Sequence, residues 1–356
     1  MKNKLVPESI CIVRLSALGD VCNAISAVQA IQKHYPSARI TWVCGAVEAH
    51  LIQLIPNVEV IPFDKNNGMR DYFDIWKKLK DHQFDVLLHM QYALRASFVA
   101  LGIKAKRKIG FDENRSKDLQ HLFINERIKS SDKKHVLDGM MGFAEAIGVE
   151  DLTPLWNIPL SESDKNWATD QLSKSGSNLV IAPATSKAYK NWTTKGYQDL
   201  ISHALNLGWK VTLIGSPDKT EIALAHDIVN HFEDTQINNL VGETTISQMI
   251  AIIDQADLLV APDSGPTHIA NAMQTPVIGL YAHHNPVRTG PYFQLDNVVS
   301  VYNEAILEET GKTSDELPWR TRVKDPNAME RITSDMVINQ FETVVSRLLT
   351  NKKESS

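Results

Sequence analysis

Three short stretches of this 356-residue chain hold the side chains best suited to chemistry. In the first, Ser16, Gly19 and Asp20 follow the apolar run Ile10 to Val13 and open a helical stretch, the position where open parallel sheets bind ligands. Gly19 allows a tight turn and a close approach by a ligand. The G-x-G-x-x-G pattern of dinucleotide sites is absent here and at the later strand ends, which argues against a dehydrogenase. Asp20 has two readings, a carboxylate that accepts a proton from a hydroxyl or a helix cap stabilised by the helix dipole, and taken alone the cap is the better one.

The second stretch, Pro183 to Trp192, also follows a strand pattern and sets Thr185, Ser186, Lys187 and Lys190 just before a helix. Hydroxyls, a helix N-terminus and an ammonium group together suit a diphosphate, against the plainer reading of a solvated lysine loop. The third stretch, Ala261 to His268, runs from an apolar strand through Asp263, Ser264 and Gly265 into a helix with Pro266 at its start. Pro266 and its small neighbours leave backbone N–H groups exposed, and His268 adds a side-chain donor, although read alone it is a satisfied histidine under a loop. No two aspartates are separated by one residue, so the D-x-D arrangement that holds a metal-bound diphosphate is missing. If a nucleotide sugar binds, Lys190, helix dipoles and His268 are the groups that can meet its charge.

The elements that must hold these stretches are alternating strands and helices. Strand patterns at Ile10 to Val13, Ile40 to Val43, Val58 to Ile61, Val86 to Leu88 and Lys108 to Ile109 are separated by helical pieces such as Tyr72 to Lys80, which implies a parallel sheet wrapped by helices. After Pro154 and Pro159, a helix start with a capping-box pattern at Ser161 to Asp164 marks a new domain. The grammar then restarts with strands Leu179 to Ala182, Lys210 to Ile214, Leu258 to Ala261 and Pro276 to Leu280, and helices Gly196 to Leu207, Thr220 to His231 and Ile246 to Ile253. The expected domains are 1–155 and 156–335, with 336–356 forming a C-terminal helix across both and a tail.

Composition sets the outer limits. With 43% hydrophobic and 22% charged residues the chain can bury two cores, and no apolar run approaches the length that spans a bilayer, so a cytosolic protein is expected. Three cysteines without C-x-x-C or zinc-ligand spacing imply buried thiols, with no disulfide framework and no metal site. The net charge of -5 is uneven: residues 1–150 hold 21 Lys and Arg against 17 Asp and Glu, and the remainder 16 against 25. The basic first half, with Arg95, Lys104, Lys106, Arg107, Lys108 and Arg115 around its strand ends, either meets an anionic partner or is an ordinary lysine-rich surface near a sheet edge, and charge alone does not choose between them.

Taken together, Arg14-Leu15-Ser16-Ala17-Leu18-Gly19-Asp20, Thr185-Ser186 with Lys190-Asn191-Trp192, and Asp263-Ser264-Gly265-Pro266-Thr267-His268 closely resemble the motifs of glycosyltransferase family 9, the ADP-heptose heptosyltransferases. Ile109-Gly110-Phe111-Asp112 and His135-Val136-Leu137-Asp138 extend the similarity up to about Tyr292, and the segment Asn285 to Arg322 fits the heptosyltransferase I branch. The resemblance implies an α/β GT-B fold, two Rossmann-like doubly wound domains facing across a cleft, with acceptor in the first and donor in the second. It implies inverting transfer from ADP-L-glycero-β-D-manno-heptose to a lipid A-Kdo type acceptor, with neither metal nor cofactor. Asp20 is then the base and Lys190 steadies the leaving diphosphate. Thr185, Ser186, Lys190, Thr244, Asp263, Ser264, Gly265 and His268 hold donor, and Ser16, Gly19, Arg95, Arg107 and Arg115 face acceptor. Asp218 or Glu221 meets the donor ribose. Peripheral contact with the cytoplasmic face of the inner membrane follows, and no nucleic-acid partner. The alternatives are a GT-B enzyme using another nucleotide sugar and a non-catalytic two-lobed binding protein.

Overall fold

The computed structural model describes residues 6–233 and 236–354, with side chains through 350. The chain divides into two compact units, 1–159 and 160–356. Leu155 and Trp156 stay with the first unit because the Trp156 indole donates to the Cys22 carbonyl at 2.7 Å and the Leu155 N–H to Ser26 Oγ at 3.0 Å.

The first unit runs β1 (Ser9–Val13), α1 (Leu18–His34), β2 (Arg39–Gly45), α2 (Ala46–Ile52), β3 (Val58–Phe63), α3 (Met69–Leu79), β4 (Phe84–His89), α4 (Leu94–Leu101), β5 (Ala105–Gly110), β6 (Glu126–Arg127) and α5 (Val136–Ile147). Its six strands are all parallel in the order β3-β2-β1-β4-β5-β6. The central strands β1, β2 and β4 carry continuous apolar runs such as Ile10-Cys11-Ile12-Val13, which is fully buried, as a sheet covered on both faces requires, whereas β3 and β5 include polar and exposed positions. Cys11, Cys22 and Cys44 are buried as expected and form no disulfide, and burial pushes the Cys22 and Cys44 thiols up to about 12.

The second unit repeats the plan with α6 (Glu162–Gln171), β7 (Asn178–Ile181), α7 (Thr194–Asn206), β8 (Lys210–Gly215), α8 (Lys219–Val229), β9 (Ile237–Val241), α9 (Ile246–Gln255), β10 (Leu258–Pro262), α10 (Gly265–Met273), β11 (Val277–Tyr281), α11 (Pro286–Thr289), β12 (Val299–Ser300), α12 (Tyr302–Thr310) and α13 (Ser334–Glu354). Its parallel order is β12-β11-β10-β7-β8-β9. Ser161 caps α6 by accepting from the Asp164 N–H. The C-terminal helix α13 packs on α7 and β12, seating Val337, Phe341 and Val344 in the core, with Phe341 edge-on to Trp209 at 5.2 Å. The expected strands all form. β6, β9 and β12 are additions, two of them only two residues long and the third carrying Asn238 and Asn239 within it. Among the described residues no helix is long and apolar enough to cross a membrane.

His89 ends β4 with no exposure. Its Nε2 lies 3.0 Å from Ser97 Oγ and its Nδ1 has no partner. Burial, with Lys108 adding to it, pushes the imidazole down to about 3. The unfolded chain takes up this proton near pH 6.5 and the native chain only near 3, so stability is full above pH 6.5 and falls as pH drops through that window. Each pH unit lost there removes up to about 1.4 kcal/mol. Urea unfolding of His89→Gln between pH 7 and 4.5 is expected to show a shallower acid decline than the parent chain. Parallel declines would show that His89 takes up no proton on unfolding.

Candidate functional site

Each sheet reverses its strand order once, between β1 and β4 in the first unit and between β7 and β10 in the second. Loops leaving neighbouring strands diverge there and open a crevice at the strands' C-terminal edge. The three sequence stretches leave β1, β7 and β10, so all of them sit at these two points.

In the first unit the chain leaves β1 through Arg14, Leu15, Ser16 and Ala17, with the Ser16–Ala17 peptide cis, and enters α1. Leu15 N–H donates to Gln91 Oε1 at 2.7 Å and Gln91 Nε2 to Ser16 Oγ at 3.3 Å, which ties this turn to the end of β4. Arg14 is buried, donates to the Met90 carbonyl at 2.6 Å, and pairs its other terminal nitrogen with Asp20. Asp20 keeps 40% of its side chain exposed. The cap reading of Asp20 does not hold, because Ala17 is the N-cap, no side chain caps α1, and Asp20 lies in the first turn facing Arg14. Gly19 is buried beside it.

In the second unit the loop after β7 is pinned at both ends. Tyr197 Oη donates to the Pro183 carbonyl at 3.0 Å and the Trp192 indole to the Ile332 carbonyl at 2.8 Å. Gly196 is required beneath Trp192, since a Cβ there would meet the indole at 2.4 Å. Thr185 N–H donates to Asn191 Oδ1 at 2.8 Å, and the Thr185 hydroxyl donates to the Lys187 carbonyl at 2.8 Å while accepting from the Lys187 N–H. Thr185 therefore shapes the loop, whereas Ser186 and Lys187 are exposed.

Lys190 is not a lone cation. Its ammonium lies 2.8 Å from Asp263 Oδ2, and the same oxygen is 2.6 Å from His284 Nδ1. The Lys190 and Asp263 side chains are 14% and 12% exposed. Burial works against charge on Asp263, but the Lys190 ammonium and the His284 ring prevail and hold its carboxyl well below the usual carboxylate range. With His283 and Met329 these groups line a small recess.

The recess borders the start of α10, where Ser264 is the N-cap with no side-chain cap bond and its buried Oγ has no partner. Gly265 and Pro266 open the helix and Thr267 Oγ1 donates to the Pro262 carbonyl at 2.7 Å; Pro266 has no N–H, and the first-turn N–H groups of Gly265 and Thr267 are left without intrahelical acceptors. His268 is buried in that turn. Thr244 is half-buried just before Thr245, which caps α9 through a capping box. Asp218 caps α8 by accepting from the Thr220 N–H at 2.8 Å, while Glu221 Oε2 accepts from the Ser216 N–H at 2.8 Å just past β8.

The expected basic face does not assemble. Arg107 is bidentate to Glu126 and donates to the Ala146 carbonyl, and β-sheet register sets it level with Val86 and Ile10, low on the sheet and away from the C-terminal edge. Arg115 is buried against Asp112 at 2.8 Å and reaches the Lys133 carbonyl. Lys106 pairs with Asp85, and Lys104 donates to the Lys80 carbonyl. Arg95 alone of the three expected arginines is exposed, at the start of α4. His135 caps α5 by accepting from the Leu137 N–H at 3.0 Å, so that motif and Asp112 are structural.

Sequence reasoning missed Gln91 and His284. Both stand just past the C-terminal ends of strands, β4 and β11, which is the signal that could have found them.

The glycosyltransferase family 9 (heptosyltransferase) model matches residues 72–320. The lipopolysaccharide core heptosyltransferase OpsX of Haemophilus influenzae is 48% identical over 338 residues, covering 94% of this chain and 96% of its own. Among solved structures, a family 9 glycosyltransferase from Veillonella parvula superposes with a TM-score of 0.77 at 21% identity, over 96% of this chain and 97% of its own. Escherichia coli heptosyltransferase WaaC with ADP superposes at 0.72 and 18%, over 96% and 98%. The shared fold is GT-B, as expected.

Removing one partner of a buried pair leaves an uncompensated charge, at a cost of about 3–5 kcal/mol. Lys190→Met is expected to lower unfolding free energy by about 3 kcal/mol, and Lys190→Met combined with Asp263→Leu to recover most of it, read by urea unfolding. Equal stability of parent and single variant would mean that Asp263 does not rely on the ammonium.

Proposed function

Because this chain belongs to glycosyltransferase family 9, we propose that it transfers heptose from ADP-L-glycero-β-D-manno-heptose to the Kdo/heptose inner core of lipopolysaccharide, with inversion and without a metal ion. The observation that carries the proposal is the buried Asp263 carboxylate shared by Lys190 and His284 beside the uncapped start of α10, which sets a fixed ammonium group next to free helix N–H groups, a setting suited to a diphosphate. The substrate class rests on the Haemophilus relative, a lipopolysaccharide core heptosyltransferase by name, and the nucleotide on the WaaC structure with ADP.

In this reading the acceptor hydroxyl approaches Asp20, whose carboxylate Arg14 holds in place. As the hydroxyl oxygen attacks the anomeric carbon, Asp20 takes its proton and the bond from that carbon to the diphosphate oxygen breaks. A single displacement from the face opposite the leaving group inverts the anomeric centre. Charge grows on the departing ADP, where Lys190, the Ser264 hydroxyl and the first-turn N–H groups of α10 are set in advance, and groups that need not reorganise stabilise such charge best. His268 and Thr244 flank the diphosphate, Thr185 shapes the loop over it, and the exposed Ser186 offers its hydroxyl. Glu221, which the Ser216 N–H holds just past the end of β8, meets the ribose.

The acceptor set is Ser16, Gly19, Asp20 and Arg95. Arg107 and Arg115 are left out because their guanidinium groups are committed to Glu126 and Asp112. No cofactor takes part, and the enzyme works at the cytoplasmic face of the inner membrane.

Asp20→Asn keeps the side chain's size and is expected to cut turnover by about two orders of magnitude with donor affinity nearly unchanged. Activity is read as ADP release with ADP-heptose and a Kdo-lipid A acceptor. Normal turnover in the variant would remove Asp20 as the base. Excess EDTA is expected to leave the rate unchanged, and loss of activity restored by Mg²⁺ or Mn²⁺ would overturn the metal-free account of the diphosphate site.

A further inference from the structure

On the first unit, α3 and α4 lie side by side and hold a chain of rings on which large apolar side chains remain in solvent. Tyr72 meets Phe63 at 4.9 Å, Phe98 at 6.2 Å and Trp76 at 6.5 Å, Phe98 meets Phe123 at 6.5 Å, and Phe73 meets Trp76 at 5.5 Å, so the rings form one connected group. Above them, Phe73 is 58% exposed, Met69 56%, Phe98 45%, Leu94 47% and Leu122 66%. A connected exposed apolar patch of this kind marks a contact surface, whereas exposed apolar residues scattered singly do not.

The patch occupies one edge of the sheet. Met69 and Phe73 are on the first turns after β3, Leu94 and Phe98 on those after β4, and Leu122 on the segment after β5, so all of them leave C-terminal strand ends, the edge that also carries Asp20. Cations rim it: Arg70, Lys77 and Lys78 on α3 and Arg95 on α4 are exposed. Of the two acids on these helices, Asp71 accepts from the Asp64 N–H and the Asn67 amide, and Asp74 lies 3.7 Å from Arg70.

We propose that this face, aromatic and aliphatic at its centre and cationic at its rim, docks the first unit onto an anionic bilayer surface. Amphipathic faces that pair apolar and aromatic side chains with Lys and Arg settle at the headgroup boundary, where the apolar part enters the acyl region and the cations meet lipid phosphates. The inference deepens the reading given above, since it brings the Asp20 edge to a membrane-held acceptor, but docking itself requires no turnover.

The test is co-sedimentation of the full chain with extruded vesicles, either phosphatidylethanolamine with phosphatidylglycerol or phosphatidylcholine alone. Binding to the anionic vesicles is expected, at least tenfold weaker on phosphatidylcholine and in 0.5 M salt. The pairs Phe73→Ser with Phe98→Ser, and Lys77→Glu with Lys78→Glu, are each expected to weaken it about tenfold or more. Leu207→Ser, at a residue of the second unit that is 55% exposed, is expected to leave it unchanged. Circular dichroism and turnover on a water-soluble acceptor report that the variants are folded. Asp20→Asn is expected to bind vesicles like the parent chain, which separates failure of docking from failure of the catalytic reading. Equal binding by parent and patch variants would overturn the proposal. So would a parent chain that dimerises in solution through this face, with the Phe73/Phe98 variant monomeric, because the patch would then be a contact between copies.

Discussion

In a parallel sheet every strand ends on the same edge, and where strand order reverses the loops from two neighbouring strands run in opposite directions and leave a crevice between them. Both sheets of this chain obey that constraint, at β1/β4 and at β7/β10, and the remaining features follow from it. The buried apolar strands need helices on both faces, the helices begin at the C-terminal edge, and their N–H-rich first turns point where a ligand enters. Asp20 stands in one such first turn, and Gly265 to His268 form another, with Asp263 and Ser264 leading into it.

Charge at both points is arranged in pairs. Arg14 is almost fully buried, so the chain supplies the Met90 carbonyl and the Asp20 carboxylate to it, and this fixes the direction of Asp20. In the second unit one carboxylate oxygen of Asp263 serves both Lys190 and His284. A lysine on a solvated loop would spread over many rotamers, whereas an ammonium tied to a buried carboxylate keeps one position, the condition for stabilising charge that develops at a fixed point.

The element order was legible in the sequence because buried parallel strands are unbroken apolar runs and their helices repeat apolar residues at helical spacing, as in Leu179 to Ile181 and Ile246 to Ile253. β6 and β12 have too few residues to show a pattern, and β9 hides behind Asn238 and Asn239, so these edge strands emerged only from pairing. Strand-end position likewise singled out Asp20, Lys190 and Asp263 to His268, since sequence order alone tells where a strand stops.

What sequence order cannot tell is which side chains from distant segments meet. Arg107 and Arg115 look like available cations in a basic stretch, yet sheet register sets Arg107 against Glu126 and chain folding buries Arg115 on Asp112. Lys190 and Asp263 lie 73 positions apart, and Arg14 meets Met90 across 76. The sequence by itself determined the two α/β units, their strand ends and the residue types standing there, because these depend on local periodicity and turn chemistry. Tertiary structure alone decided which charges are paired, which are buried and which stay exposed, because those depend on distances that only the packed sheets establish.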